Sequence, residues 1–434
     1  METPLTAPPV SATEKTEKKP GLLRRILSSL GPGLIAGAAD DDPSGIATYS
    51  MAGAQFGFSM LWTALLTWPL MAAVQMTCAR VGMVTGRGLA FGLKKKFPRP
   101  LVLTAAVALL AANTINVAAD LAGMADAMEM LTHVSSHLWV VLFAIGISWA
   151  TVRLRYAHIA NVLKWLALSL FAYVFTAFIV NPPWGAIARA TFLPRLPHGH
   201  GEWQMLVAIL GTTISPYLFF WQASQEVEEE KAGGRLTTAK RRGATEDEIV
   251  NRTLDVGTGT FFSNLVMFFI IATTAATLHA SGITKIETSR QAAEALRPLA
   301  GAACTFLYTI GVIGVGFLAI PTLTGSAAYA FAEVYGWRQG LDEKIGKARS
   351  FYGVVLLSTI AAIIIDFTNI NPVAALYWTA VINGVLAPFL LVGILFVAID
   401  RKLMCGQPSS LVGRVSVAVT ATLMFAAILV MFLV

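Results

Sequence analysis

"ADDDPSGIAT", residues 39–48, places three consecutive carboxylates, a proline and a glycine inside a stretch that otherwise reads as a membrane span. An ionised carboxylate at the bilayer centre costs about 2.5 kcal/mol or more on even the mildest scale. Proline and glycine also interrupt the helix that must satisfy every backbone group in lipid. A segment disfavoured on both counts points to function, and the fold follows from where its counterpart lies.

The surrounding chain is 434 residues long, 56% hydrophobic and 13% charged, with mean hydropathy +0.65. A soluble domain carries about twice that charged fraction. Apolar runs recur from end to end, which describes an all-α polytopic membrane protein and not a single cleaved signal. Eleven spans are expected near 31–55, 58–79, 101–131, 138–152, 161–180, 204–223, 258–278, 302–333, 351–367, 372–398 and 412–433. Residues 1–25 read as a disordered polar tail, 26–180 as a first five-helix repeat, 181–398 as a second, and 399–434 as an additional span. One long polar connection, 225–256, reads as a solvated cytoplasmic linker carrying a short amphipathic helix. Cys78, Cys304 and Cys405 are far apart and have no metal-ligand spacing. The histidines lie outside or at the edges of the spans, and "HGH" at 198–200 reads as a solvated loop.

Lysine and arginine fix the orientation. Of the 32 in the chain, only Arg189, Arg195, Lys285, Arg290 and Arg297 fall outside if the N-terminus is cytoplasmic, which leaves the C-terminus outside. The net charge of +7 is thereby explained without nucleic acid. The clusters "KKK" at 94–96 and "KRR" at 240–242 become inside-facing signals able to touch anionic lipid. The setting expected is a bacterial inner membrane.

Interrupted helices in corresponding positions are the best sequence pointer to a transporter's binding site. Span one breaks at Asp42-Pro43-Ser44-Gly45, and span six breaks within "GTTISPY", 211–217, at Pro216. One and six correspond if two five-span halves repeat. The breaks offer carbonyls, the Asp42 carboxylate and the hydroxyls of Thr212, Thr213 and Ser215. These are all oxygen donors, suited to a hard cation such as Mg2+, Ca2+ or Mn2+. On these residues alone an ammonium or amino-acid substrate stays open.

"GPGLIAGAADDDPSGIATYSMAGAQFG", "ARVGMVTGRGLA" (79–90) and "AADLAG" (118–123) together resemble the NRAMP family of divalent metal transporters. The resemblance runs in span order over most of the chain. It implies a LeuT-type 5+5 inverted repeat of about eleven helices, broken at the midplane in helices 1 and 6, with alternating access and a metal between them. Asp42 then matches the family's metal-binding aspartate and Pro43 its proline. Gly45 stands where the family has a ligating asparagine. Thr212 takes the position of an alanine whose carbonyl binds metal, Ser215 replaces a methionine, and Tyr217 replaces a histidine. Losing the thioether removes a preference for softer metals, and the smaller side chains suit an ion that keeps water. The pattern is similar to the NRAMP-related magnesium transporter branch, which implies Mg2+ and Mn2+ as cargo. A relative linked to aluminium uptake has also lost the methionine.

The resemblance bears on coupling too. Asp120 matches the family's span-three aspartate, but the glutamate expected three residues on is Gly123, and a second span-six histidine falls at Gln222. Tyrosine, with a pKa near 10, does not shuttle protons as histidine does. A potential of 100 mV is worth about 2.3 kcal/mol per charge, so two charges gain roughly three decades of concentration without a proton. Uncoupled, potential-driven uptake is expected, with the proton-coupled Mn2+/Fe2+ symporter and a sodium-coupled organic-solute carrier as alternatives. Asp120 could instead pair with a base such as Arg349, Asp40 and Asp41 could either lower the electrostatic barrier near the site or face water in a vestibule, and Asn383 of span ten is placed near the site. Asp126 and Glu129 read as interfacial. No zinc-protease or serine-hydrolase motif occurs, so no enzyme, cofactor or obligate protein partner is expected beyond cations and the bilayer.

Overall fold

A computed structural model describes residues 37, 39–153, 168–368 and 370–434, and they are helical with no β-strand among them. The expected tail, 1–25, lies outside the described residues. The principal helices are α1 (Pro43–Phe56), α2 (Trp62–Thr85), α3 (Leu89–Lys96), α4 (Arg99–Thr132), α5 (Ser136–Arg153) and α6 (Phe171–Val180). There follow α7 (His200–Thr213), α8 (Pro216–Ala232), α9 (Glu246–Thr277), α10 (Cys304–Tyr335), α11 (Arg349–Asp366), α12 (Pro372–Ala398) and α13 (Leu411–Leu433). A described helix falls on each of the eleven expected spans. Spans one and five are described only in part, and the chain turns by 108° between Pro43–Met60 and α2.

Helix starts follow local chemistry. Asn371 and Ser410 cap α12 and α13, and Thr245 with Glu248 forms a capping box at α9. In lipid, helices associate through small residues that let backbones touch. A Cβ added to Gly211 of α7 would lie 2.0 Å from the Ala380 carbonyl and 2.3 Å from the Gly384 nitrogen of α12. Gly82 of α2 meets the Ala223 carbonyl of α8 in the same way, at 2.4 Å. Gly37 meets the Gly259 carbonyl of α9 at 2.4 Å, and Gly53 of α1 meets the Ile271 carbonyl of α9, also at 2.4 Å. Gly211→Ala therefore forces two backbones apart. It is expected to destabilise by about 1–3 kcal/mol, the usual range for overpacking, read as a lower thermal midpoint in detergent.

The connection 225–256 differs from its sequence reading. Helix α8 runs to Ala232 and α9 begins at Glu246, so only 233–245 joins them. That segment is fastened and not merely solvated. Arg241 is buried, and its guanidinium donates to the carbonyls of Arg235 and Leu236 at 2.9 Å and of Gly86 at 3.3 Å. Gly243 N donates to the Val84 carbonyl, and Gln407 clasps both backbone groups of Ala244. Polar composition marked this segment as surface but did not reveal that its arginine would be consumed by carbonyls.

Candidate metal site between the broken helices

Span one is helical at residues 39 and 40, loses the helix at Asp41 and Asp42, and resumes at Pro43. Asp42 is the N-cap of α1, where Oδ1 accepts from Gly45 N and from Ser44 Oγ, each at 2.8 Å. Free N–H groups at a helix start favour such a carboxylate. Oδ2 faces the other way, accepting from Asn116 Nδ2 at 3.1 Å with Tyr217 Oη at 3.5 Å. One oxygen is thus spent on holding the helix, and Oδ2 is the one turned toward span six.

Span six breaks at Ile214 and Ser215, with Pro216 opening α8. Ser215 Oγ turns back on its own helix, toward the carbonyls of Gly211 (2.9 Å) and Thr212 (2.5 Å). Its lone pairs stay available, since a hydroxyl that donates can still accept. Thr212 Oγ1 donates to Tyr49 Oη of α1 at 3.1 Å, and Tyr217 Oη donates to the Ala39 carbonyl at 3.0 Å. Two tyrosines therefore stitch the breaks together. Asp42, Gly45, Thr212, Ser215 and Tyr217 form one cluster, and Asp42, Thr212 and Ser215 are each 2% exposed.

Asp120 joins through Asn116, whose Nδ2 lies 3.3 Å from Asp120 Oδ2. Among the described residues Asp120 forms no ion pair, so the pairing with Arg349 is not found. The place of the expected glutamate, Gly123, is closed by Leu376, whose Cδ1 would lie 2.9 Å from an added Cβ. Gln222, at the second histidine position, donates to Glu226 at 2.7 Å. Glu226 in turn pairs with Arg252 at 2.8 Å, and Arg252 also pairs with Asp255 and Glu229. Asn383 is buried on α12 with its Oδ1 unbonded, one residue from the Gly384 that touches Gly211, but no hydrogen bond ties it to Asp42. Asp40 and Asp41 face α9 and not a vestibule, converging on the single Ser263 hydroxyl at 2.9 and 3.2 Å. Glu129 accepts from Ser136 N at 2.8 Å, closing the α4–α5 turn.

Asn116, Tyr49 and Ser263 escaped the sequence reading. Asn116 left a signal, lying one helical turn before Asp120. Ser263 left none, because its role exists only once α9 packs on the break. Among the described residues, no three His, Cys, Asp or Glu side chains converge as a metal cage. What meets Asp42 Oδ2 is the Asn116 amide and the Tyr217 hydroxyl.

The family model for natural resistance-associated macrophage protein-like (Nramp) chains matches residues 33–434. The divalent metal cation transporter MntH of Yersinia pestis is 30% identical over 321 residues, covering 71% of this chain and 74% of that protein. MntH of Deinococcus radiodurans is 27% identical over 405 residues, 91% and 86% of the two chains. A crystal structure of an Eremococcus coleocola manganese transporter superposes with TM-score 0.71 at 15% identity, over 94% of this chain and 87% of that one. Mhp1, a nucleobase-cation-symport-1 family transporter, gives TM-score 0.54 at 15% identity over 93% and 90%. These two structures share the fold, a LeuT-type bundle.

Proposed function

We infer, from the premise that the chain belongs to the NRAMP family and is a divalent metal cation transporter of that type, that it imports Mg2+ and Mn2+ with part of their water retained. The driving force proposed is the membrane potential, with no coupled proton. The observation that carries this reading is the donor set at the breaks. Ser215 and Tyr217 occupy the thioether and imidazole positions, and both donate to backbone carbonyls. Asp42 Oδ2, the Thr212 carbonyl and the Ser215 oxygen are the proposed ligands, with Gly45 leaving its place to water. Mg2+ dehydrates reluctantly and is commonly held by one or two carboxylates plus waters. Asp120, Tyr217 and Asn383 are assigned to orienting the site.

Two further observations support the uncoupled reading. Leu376 fills the space above Gly123, and Gln222 is tied into a fixed ionic cluster. The asymmetry of lysine and arginine between the loops supports placement in a bacterial inner membrane with the N-terminus cytoplasmic and the C-terminus outside. The second reading is a proton-coupled Mn2+/Fe2+ symporter; the manganese transporter of like fold favours Mn2+ as cargo and is silent on the proton.

The test is Mg2+ uptake into proteoliposomes at a set inside-negative potential, with internal Mg2+ and pH recorded together. Uptake is expected to rise with potential and leave internal pH unchanged. Acidification in fixed proportion to metal would establish the coupled reading instead. No Mg2+ uptake alongside Mn2+ uptake would return the protein to the transition-metal branch.

A further inference from the structure

Both donor hydrogens of the Asn116 side chain go to carboxylates. Its Nδ2 lies 3.1 Å from Asp42 Oδ2 and 3.3 Å from Asp120 Oδ2. Only the NH2 end of an amide donates, so these two acceptors fix which way the side chain is turned. The two carboxylate oxygens are no farther apart than the two bonds laid end to end, 6.4 Å. Asp120 follows Asn116 by one turn of α4, whereas Asp42 comes from the break in span one. The amide thus links the carboxylate proposed to take the cargo to a second carboxylate behind it.

The other end of the same amide has no partner. Asn116 is 0% exposed, and its Oδ1 accepts no hydrogen bond. A buried acceptor left unpaired is unfavourable, and a group that brings it a hydrogen removes the penalty. The oxygen and nitrogen of an amide are about 2.3 Å apart, which puts Oδ1 within about 5.4 Å of Asp42 Oδ2. Metal–oxygen bonds of about 2.1 Å on either side of an Mg2+, with a hydrogen bond of about 2.8 Å from its water, cover that separation. An ion stripped of water brings no hydrogen. Nor is Asn116 well placed as a direct ligand, because the amide presents its positive NH2 end to Oδ2.

We propose that Asn116 is a specificity-determining residue that recognises the water carried by the cargo. Its Nδ2 orients Asp42 Oδ2 toward the ion, and its Oδ1 accepts a hydrogen bond from a water retained on that ion. The inference rests on the partly hydrated cargo proposed above and adds the residue that selects for it. Mg2+ dehydrates reluctantly, whereas the larger Mn2+ accepts direct ligands more readily, so the contact favours Mg2+. Asn113, three residues earlier on α4, provides the contrast. It is equally buried with an unpaired Oδ1, but its Nδ2 donates to the Leu323 carbonyl and Ser326 Oγ of α10, each at 2.8 Å. That amide joins two helices and touches no carboxylate.

KM and maximal rate for Mg2+ and for Mn2+ uptake into proteoliposomes, with calorimetric binding of both ions in detergent, test the assignment on the full chain. Asn116→Leu keeps the branching of the side chain and removes both ends of the amide. It is expected to raise the Mg2+ KM about tenfold more than the Mn2+ KM, with the same change in the ratio of dissociation constants. Asn113→Leu is expected to lower the thermal midpoint and leave that ratio unchanged. Asn116→Ser, which leaves room for a water, is expected to shift the ratio about threefold and serves if the leucine variant does not fold. An equal rise in both KM values means that the amide only holds Asp42; it overturns the proposal and leaves the Mg2+ cargo standing. The same shift of ratio in Asn113→Leu also overturns it, since any buried amide of α4 would then act alike. Wild-type uptake of Mn2+ without Mg2+ overturns the cargo proposed above and this inference with it.

Discussion

Asp42→Asn in proteoliposomes is expected to reduce divalent-cation uptake at least a hundredfold while leaving the fold nearly intact. Asparagine caps helices about as well as aspartate, so the bonds to Gly45 N and Ser44 Oγ can be remade. What is lost is the charge at Oδ2. Removing one partner of a buried charge pair typically costs about 3–5 kcal/mol, or more than two decades. Asp42→Ala also removes the cap, adding about 1 kcal/mol of destabilisation, so a thermal midpoint for each variant separates the two effects. Wild-type uptake by the asparagine variant would remove Asp42 from the cargo path.

Ser215→Met is expected to move the Mn2+ to Mg2+ uptake ratio upward by about a hundredfold, from two contributions of roughly 1.4 kcal/mol each. One is the added thioether, which discriminates toward softer ions. The other is the loss of a hydroxyl oxygen beside the Thr212 carbonyl, one of the proposed hard ligands. Met71, Gln75, Thr213 and Leu218 surround Ser215 with no cavity large enough for a water, so the longer side chain must displace a neighbour. Parallel competition assays with the two ions measure the ratio. An unchanged ratio would mean that position 215 does not contact the cargo.

Hydropathy, charge asymmetry and two prolines were enough to place the helices and both breaks, because each rests on a strong, local effect. The apolar length needed to cross a bilayer and the amide lost at Pro43 or Pro216 can be read from the residues themselves. Which face of a helix meets which neighbour cannot. Ser263 faces Asp40 and Asp41, and Leu376 closes the space at Gly123, through packing that joins residues more than 200 positions apart. Nor could residue type alone tell that Ser215 Oγ would lie against the Gly211 and Thr212 carbonyls of its own helix. Polarity misled at 225–256, where charged residues are the ends of α8 and α9.

The glycine contacts also distribute mechanical freedom unequally between the two breaks. Both sides of span one are clamped to a single neighbour, α9, through Gly37 with Gly259 and Gly53 with Ile271. Bending that break would require bending an unbroken 32-residue helix with it. Span six is gripped differently, α7 by α12 through Gly211 and α8 by α2 through Gly82. Its two halves belong to separate bodies, and the joint left between them is Ile214–Ser215. Span one is thus gripped on both sides of its break by one helix, and span six by a different helix on each side.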